Sequence, residues 1–391
     1  TPTSNLDENV TYFVDIPSGS LTNMAGDSYV GTGYTFQTTY TLNDMWTVGE
    51  NLTGSLGLNQ SPSTRDALSS PTQIPGGTWK YFRQGAGMGN DQAIITSNGE
   101  LWTWGQNNNG QLGQNDTVDY SSPVQVPGDW TLYNNARTSF SGGSSMKIIK
   151  SDGTLWSWGF GGQGSNGQNN MVYYSSPVQI GSETTWSAVH NNYNVSMAIK
   201  TDGTLWTWGN NEWGELGHNN TTDYSSPRQV PGTTWAKCGR GFFKASAAIK
   251  TDGTLWTWGD NDSGMLGLSN QTDYSSPKQV PGTTWANIII DGSRTAAMAT
   301  KTDGTMWAWG SNGRGQLGLN DGSQYSSPKQ VHGDATTWNT DEFLLSNWST
   351  HALRTDGTLW AWGDNGHGQL GQNNISPAYY SSPIQIPGTN W

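Results

Sequence analysis

The chain has 391 residues, enough for one large repeat array; 32% are hydrophobic, 12% are charged and 52 are glycine, a composition suited to many short strands joined by tight turns. A formal charge of -12 repels a phosphate backbone and argues against a nucleic-acid partner. A single cysteine, Cys238, excludes an intrachain disulfide and a cysteine-based metal cluster, and without an apolar run of about 18 residues no membrane span is expected.

Residues 1–29 stand outside any repeat. Val10, Tyr12, Val14 and Ile16 alternate there as in a strand, read either as padding against the remaining domain or as an arm that adds to a partner's sheet. Residues 30–391 are built from one unit. A weak copy, MWTVG, ends at Gly49, and WxWG then recurs at Trp102, Trp156, Trp206, Trp256, Trp307 and Trp360, at intervals of about 50 residues, the length of a four-stranded blade. Within a unit, Asp252-Gly253 and its equivalents predict a two-residue type I′ hairpin turn. Leu255 and Thr257 then face one side and Trp256 and Trp258 the other, so both faces are bulky, as a blade held between two neighbours requires.

A Gly-pinned loop follows, GQLG or a variant, and then YSSPxQV. Pro277 predicts a strand start or an edge, and the repeated SSP serines read as turn chemistry. No helix is expected. Of 22 tryptophans, 20 fall on framework positions, leaving Trp213 and Trp348 outside it. The chain stops at Trp391, the residue type that elsewhere opens a unit. The expected fold is therefore all-β: a seven-bladed β-propeller with four-stranded blades, its ring closed between the N- and C-terminal segments.

The strings DGTLWTWG, GQLG and SSPVQV resemble the regulator-of-chromosome-condensation repeat over residues 30–391. The resemblance implies the propeller fold; its members include a nuclear guanine nucleotide exchange factor, ubiquitin-ligase subunits, a plant photoreceptor and a secreted β-lactamase inhibitor, so function rests on the site. The near-identical units and the SSPxQV ending look most like repeats of bacterial surface and bacteriophage structural proteins. That likeness implies a non-catalytic structural or binding protein, either a virion component (capsid decoration or tail appendage) or a bacterial cell-surface component. Its expected location is extracellular or on a virion surface, with the cell surface as the alternative, and its partner a protein, including other subunits of a multi-copy assembly. The alternative is a regulatory propeller such as an exchange factor or an extracellular enzyme inhibitor. Departures weigh against exchange: only His351 matches the family's loop histidine, and no wedge insertion or basic tail is visible.

The framework repeats almost verbatim, whereas the loop between each opening Trp and the Asp-Gly hairpin differs every time. Variable loops on a rigid frame make binding surfaces, and Tyr193, Arg240, Phe242, Phe243, Lys244, Arg294 and Trp348 supply aromatic and cationic anchors for a partner. The competing reading is that these loops vary because no packing constrains them, or that Phe242 and Phe243 belong to the core. Asp260 to Gly264 (DNDSG) imitates a calcium loop, but its counterparts lack the acidic set, so it reads as a structural turn and no metal site is assigned. Five scattered histidines give no zinc spacing, no nucleophile has a partnered base, and neither a catalytic constellation nor a cofactor site is expected.

Overall fold

A computed structural model describes residues 11–14, 34–37, 46–49, 53–60, 68–74, 79–82, 91–96, 98–132, 140–142, 145–192, 194–240, 244–291, 296–331, 337–346 and 348–388. Six four-stranded sheets, each an antiparallel meander in chain order, form a β-propeller. Sheet 1 runs Trp79–Phe82, Asp91–Thr96, Leu101–Gly105 and Tyr120–Val126; sheet 2 runs Phe140–Gly142, Ser145–Ile149, Leu155–Gly159 and Tyr174–Gln179. Sheet 3 spans Trp186–Asn192 to Tyr224–Gln229, sheet 4 Trp235–Cys238 to Tyr274–Gln279, sheet 5 Trp285–Asp291 to Tyr325–Gln330, and sheet 6 Trp338–Ser346 to Tyr379–Gln385. Two further pairs precede them: Thr11–Val14 with Tyr34–Gln37, and Trp46–Gly49 with Leu68–Gln73. The expected strand near the N-terminus thus has its mate within the chain. The only helical element among the described residues is a 3-10 turn, Gly162–Gly164.

What holds one sheet to the next is a repeated set of contacts. The second Trp of each WxWG is fully buried, and its indole N–H donates to a backbone carbonyl in the Gly-pinned loop of the preceding unit. The bonds run from Trp104 to Ser55, Trp158 to Gln111, Trp208 to Ser165, Trp258 to Glu215, Trp309 to Met265 and Trp362 to Gln316, at 2.8 to 3.0 Å. Such a partner offsets the hydration that the N–H of a buried indole gives up. The closing glycine of that loop makes the approach possible: Gly267 has φ +73, and a Cβ there would lie 2.9 Å from Trp309 Nε1.

The SSP serines belong to the same joint. They lie in the fourth strand, not in a turn as expected, and the first serine's carbonyl accepts a backbone N–H from the preceding unit, as from Asn219 to Ser275 (2.6 Å) and from Ser269 to Ser326 (2.7 Å). The proline follows on this outermost strand, where no further strand demands its missing donor.

The Asp-Gly hairpin also departs from expectation. Lys200 O accepts from Gly203 N, Lys200 N donates to Thr204 O, and Gly203 has φ +77 while none of the hairpin aspartates has a positive φ. This is a three-residue loop, a type I turn closed by a left-handed glycine. The reason lies in the Asp side chain: from a right-handed backbone, Asp202 accepts both the Thr204 N–H (2.9 Å) and its hydroxyl (2.7 Å), and that hydroxyl in turn accepts the Trp206 indole N–H. The lysine opening the hairpin lies between two indoles, with Lys200 Nζ 4.8 Å from the Trp186 ring and 3.9 Å from that of Trp206. Lys150, Lys250, Lys301 and Arg354 repeat the arrangement.

Candidate functional site

In an antiparallel meander, the connection between strands one and two and that between strands three and four emerge at the same end of the sheet. The variable loops therefore share an end with the Gly-pinned loops that make the inter-sheet joints. Of the seven predicted anchors, Tyr193, Phe242, Phe243 and Arg294 lie outside the described residues. The other three occupy three distinct positions.

Arg240 extends from the first strand of sheet 4. Its N–H donates to Ile288 O and its carbonyl accepts from Ile290 N on sheet 5, while its guanidinium reaches sheet 6, donating to Asp341 O (3.1 Å) and lying 5.3 Å from the Phe343 ring. On the other side its charge reinforces the effect of burial in pushing His190 of sheet 3 down to about 3. One side chain thus senses first strands on three neighbouring sheets, which places those strands on the inner side of the array.

Lys244 immediately precedes the second strand of sheet 4. Its Nζ lies 4.3 Å from the ring of Trp213 on sheet 3 and 3.9 Å from Asp260 Oδ2 on its own sheet. Trp348 occupies the equivalent position on sheet 6, with Arg314 of sheet 5 lying 5.6 Å from its ring and 3.4 Å from Asp364. The two joints use the same three positions with cation and aromatic exchanged. Trp213 and Trp348, the two tryptophans outside the framework, are the aromatic members of these triads. Sequence reading missed Arg314; aligning the units places it at the Trp213 position, facing an anomalous Trp.

Trp348 has φ +65, a left-handed backbone that a bulky side chain rarely adopts, and its carbonyl accepts the Asp364 N–H. It is half-buried, and Arg314 keeps about half its side-chain exposure. Glu215 lies in the loop beside Trp213, where other units place Gln111, Gln316 and Gln369. It accepts from Asn210 Nδ2 (2.6 Å) and Trp213 N (2.7 Å), and burial pushes it up to about 7. On sheet 6 the same pair is reversed, with Gln369 Nε2 donating to Asp364 (2.6 Å). His351 donates from Nε2 to Gln369 O (3.0 Å), and burial lowers its pKa.

The carboxylates of Asp260, Asp262 and Asp273 approach within 4.8 Å of one another. Asp260 accepts from Asp262 N and Asp273 from Asn261 N, the latter repeating the bond from Asn211 N to Asp223 on sheet 3. These are turn-closing bonds. Lys147, fully buried on sheet 2, donates to Ser145 Oγ (3.0 Å), and burial lowers it to about 7.

Against known proteins, the chain is 38% identical over 88 residues to Protein RCC2 homolog of Danio rerio, which covers 22% of this chain and 18% of that protein. It is 27% identical over 146 residues to the X-linked retinitis pigmentosa GTPase regulator of Homo sapiens, covering 37% and 14% respectively. The matched segments span less than a fifth of these relatives. Among solved structures, Prp20p of Saccharomyces cerevisiae, studied with its binding to Gsp1p and histones, superposes with TM-score 0.70 at 16% identity over 90% of this chain and 87% of that one. This likeness shows the fold. The relatives overturn the expected virion or cell-surface role and, with it, the extracellular location. The verbatim SSP and GQLG strings that suggested a surface or phage array are inter-sheet joints, so they report on the packing of the sheets and not on the protein's setting. The RCC1-like domain profile matches residues 44–390, and the chain belongs to the RCC1-like domain family.

Proposed function

We propose that the chain is a regulatory propeller that binds a protein partner through the end carrying its variable loops. In this reading it is a seven-bladed ring over residues 30–391, the strands Tyr34–Gln37, Trp46–Gly49 and Leu68–Gln73 contributing to one blade and the C-terminal segment closing on it. Residues 1–29 form an extension. The observation that carries the reading is the departure from the repeat at that end: Arg240, the Lys244–Trp213 pair and the Arg314–Trp348 pair occupy positions for which the framework dictates no residue type. The kinship supports it, since one relative is named a GTPase regulator and Prp20p is described with its protein partners. By that analogy a small GTPase is the first partner to test. The propeller itself supplies a shaped surface, with neither a cofactor nor a nucleophile.

The test is affinity purification of the tagged protein from its native host with quantitative mass spectrometry. The variants are Trp348→Asn at the loop end and Thr233→Lys at the opposite end. The reading predicts a partner retained by Thr233→Lys and lost from Trp348→Asn. A partner lost only from Thr233→Lys would contradict it.

A further inference from the structure

One stretch of the loop end differs in kind from the rest. Residues 153–182, most of sheet 2, contain no Asp, Glu, Lys, Arg or His. Where sheet 3 has Thr221, Thr222 and Asp223 before its fourth strand, sheet 2 has Met171, Val172 and Tyr173, exposed by 63%, 53% and 50%. The Tyr173 ring lies 4.9 Å from that of Phe160, which stands where sheets 3 and 4 place Asn210 and Asp260. The Phe160 ring lies against the backbone of Gly162, so closely that a Cβ there would meet it at 2.2 Å. Three consecutive exposed apolar side chains, with the half-buried Phe160 ring against the last of them, thus make an apolar patch, and exposed apolar surface of this kind marks a contact.

Its neighbours identify what would cover it. The joints from Trp158 to Gln111 and from Trp208 to Ser165 set sheet 2 between sheets 1 and 3. On the equivalent loops those neighbours carry Asp116 and Asp119 on one side and Glu212 and Asp223 on the other, and the whole chain has charge -12. A second copy would bring the same carboxylates against these and be repelled; a positively charged segment would be attracted to both flanks. We propose that Phe160, Met171, Val172 and Tyr173 dock a protein segment with an apolar anchor flanked by Lys or Arg. This deepens the protein-binding reading and rests on it.

The test uses the full chain and a fluorescein-labelled peptide, Leu-Phe-Leu flanked on each side by three lysines, with a glutamate-flanked peptide and a serine-cored peptide as controls. The variant Met171→Thr/Val172→Thr/Tyr173→Asp copies the loop of sheet 3. It preserves the local backbone, because Val172 N already bonds Asn170 as Thr222 N bonds Asn220. Fluorescence anisotropy should show the lysine-flanked peptide binding at least tenfold more tightly than either control. That preference should be lost in the loop variant and kept in Thr233→Lys at the opposite end. Equal binding of all three peptides, or no binding, overturns the proposal, as does a dimer in sedimentation equilibrium that the loop variant dissolves. If the peptide fails while Trp348→Asn still loses a native partner, only this inference falls and the protein-binding reading stands.

Discussion

At the six described inter-sheet joints a buried indole, a left-handed glycine and a serine carbonyl recur with nearly constant geometry. At the loop end the residue preceding the second strand is Asn194 on sheet 3, Lys244 on sheet 4 and Trp348 on sheet 6. The joints tolerate little because each must satisfy a buried donor and close a gap narrower than a side chain. The loop-end positions are held mainly by backbone bonds, such as Asp260 N to Lys244 O and Asp364 N to Trp348 O, which any side chain permits. Repetition therefore marks what joins the sheets, and departure from it marks residues available for something else.

The sharpest way to break this contrast is at a joint. Trp309→Ala removes a fully buried ring and orphans Met265 O, so chemical denaturation should show a loss of about 3–5 kcal/mol. A loss below about 1 kcal/mol would mean that the joints do not carry the fold.

Departures inside the core should behave oppositely, costing stability where the repeat residue would not. Lys147 stands where sheets 3 and 5 have Met197 and Met298. Its folded pKa of about 7 lies below the unfolded value, so its cost is full below pH 7 and fades as pH rises toward the unfolded pKa. Lys147→Met should stabilise the protein by on the order of 3 kcal/mol at pH 6, with the gain shrinking steadily above pH 7 in denaturation series. A pH-independent gain would show that Lys147 is not deprotonated on folding.

Glu215 has the opposite sign. Its folded pKa, about 7, is above the unfolded value, so stability is lost as pH rises through that window. Glu215→Gln, restoring the residue of sheets 1, 5 and 6, should gain about 2 kcal/mol at pH 8 and almost nothing near pH 4. Equal melting temperatures of variant and parent at pH 8 would refute this.

Much of the propeller was legible because Trp and Gly have few substitutes where a ring must be buried or a Cβ excluded. The WxWG period gave the sheets, and the two surplus tryptophans pointed to both cation–aromatic joints. The hairpin type was misread because Asp-Gly suits two turn geometries, and only the Thr204 cap selects between them. The serines were misread because a backbone carbonyl leaves no mark in a side-chain pattern. Arg314 was invisible until Trp348 was set across from it, since a joint between units has no local signature. The biological setting was misjudged for a related reason: the regularity of the units follows from the geometry of the inter-sheet joints, whatever the protein serves.

Trp348→Asn separates binding from folding most directly, because it alters a repeat-breaking residue and leaves every framework indole, left-handed glycine and serine carbonyl in place. Asn accommodates φ +65 better than Trp and leaves the carbonyl that receives Asp364 N in place. Thermal unfolding and partner capture measured on the same preparation should show a melting temperature within about 2 °C of the parent and at least tenfold weaker capture. Unimpaired capture together with a large drop in melting temperature would show that Trp348 belongs to the framework and that the loop end is not the binding face.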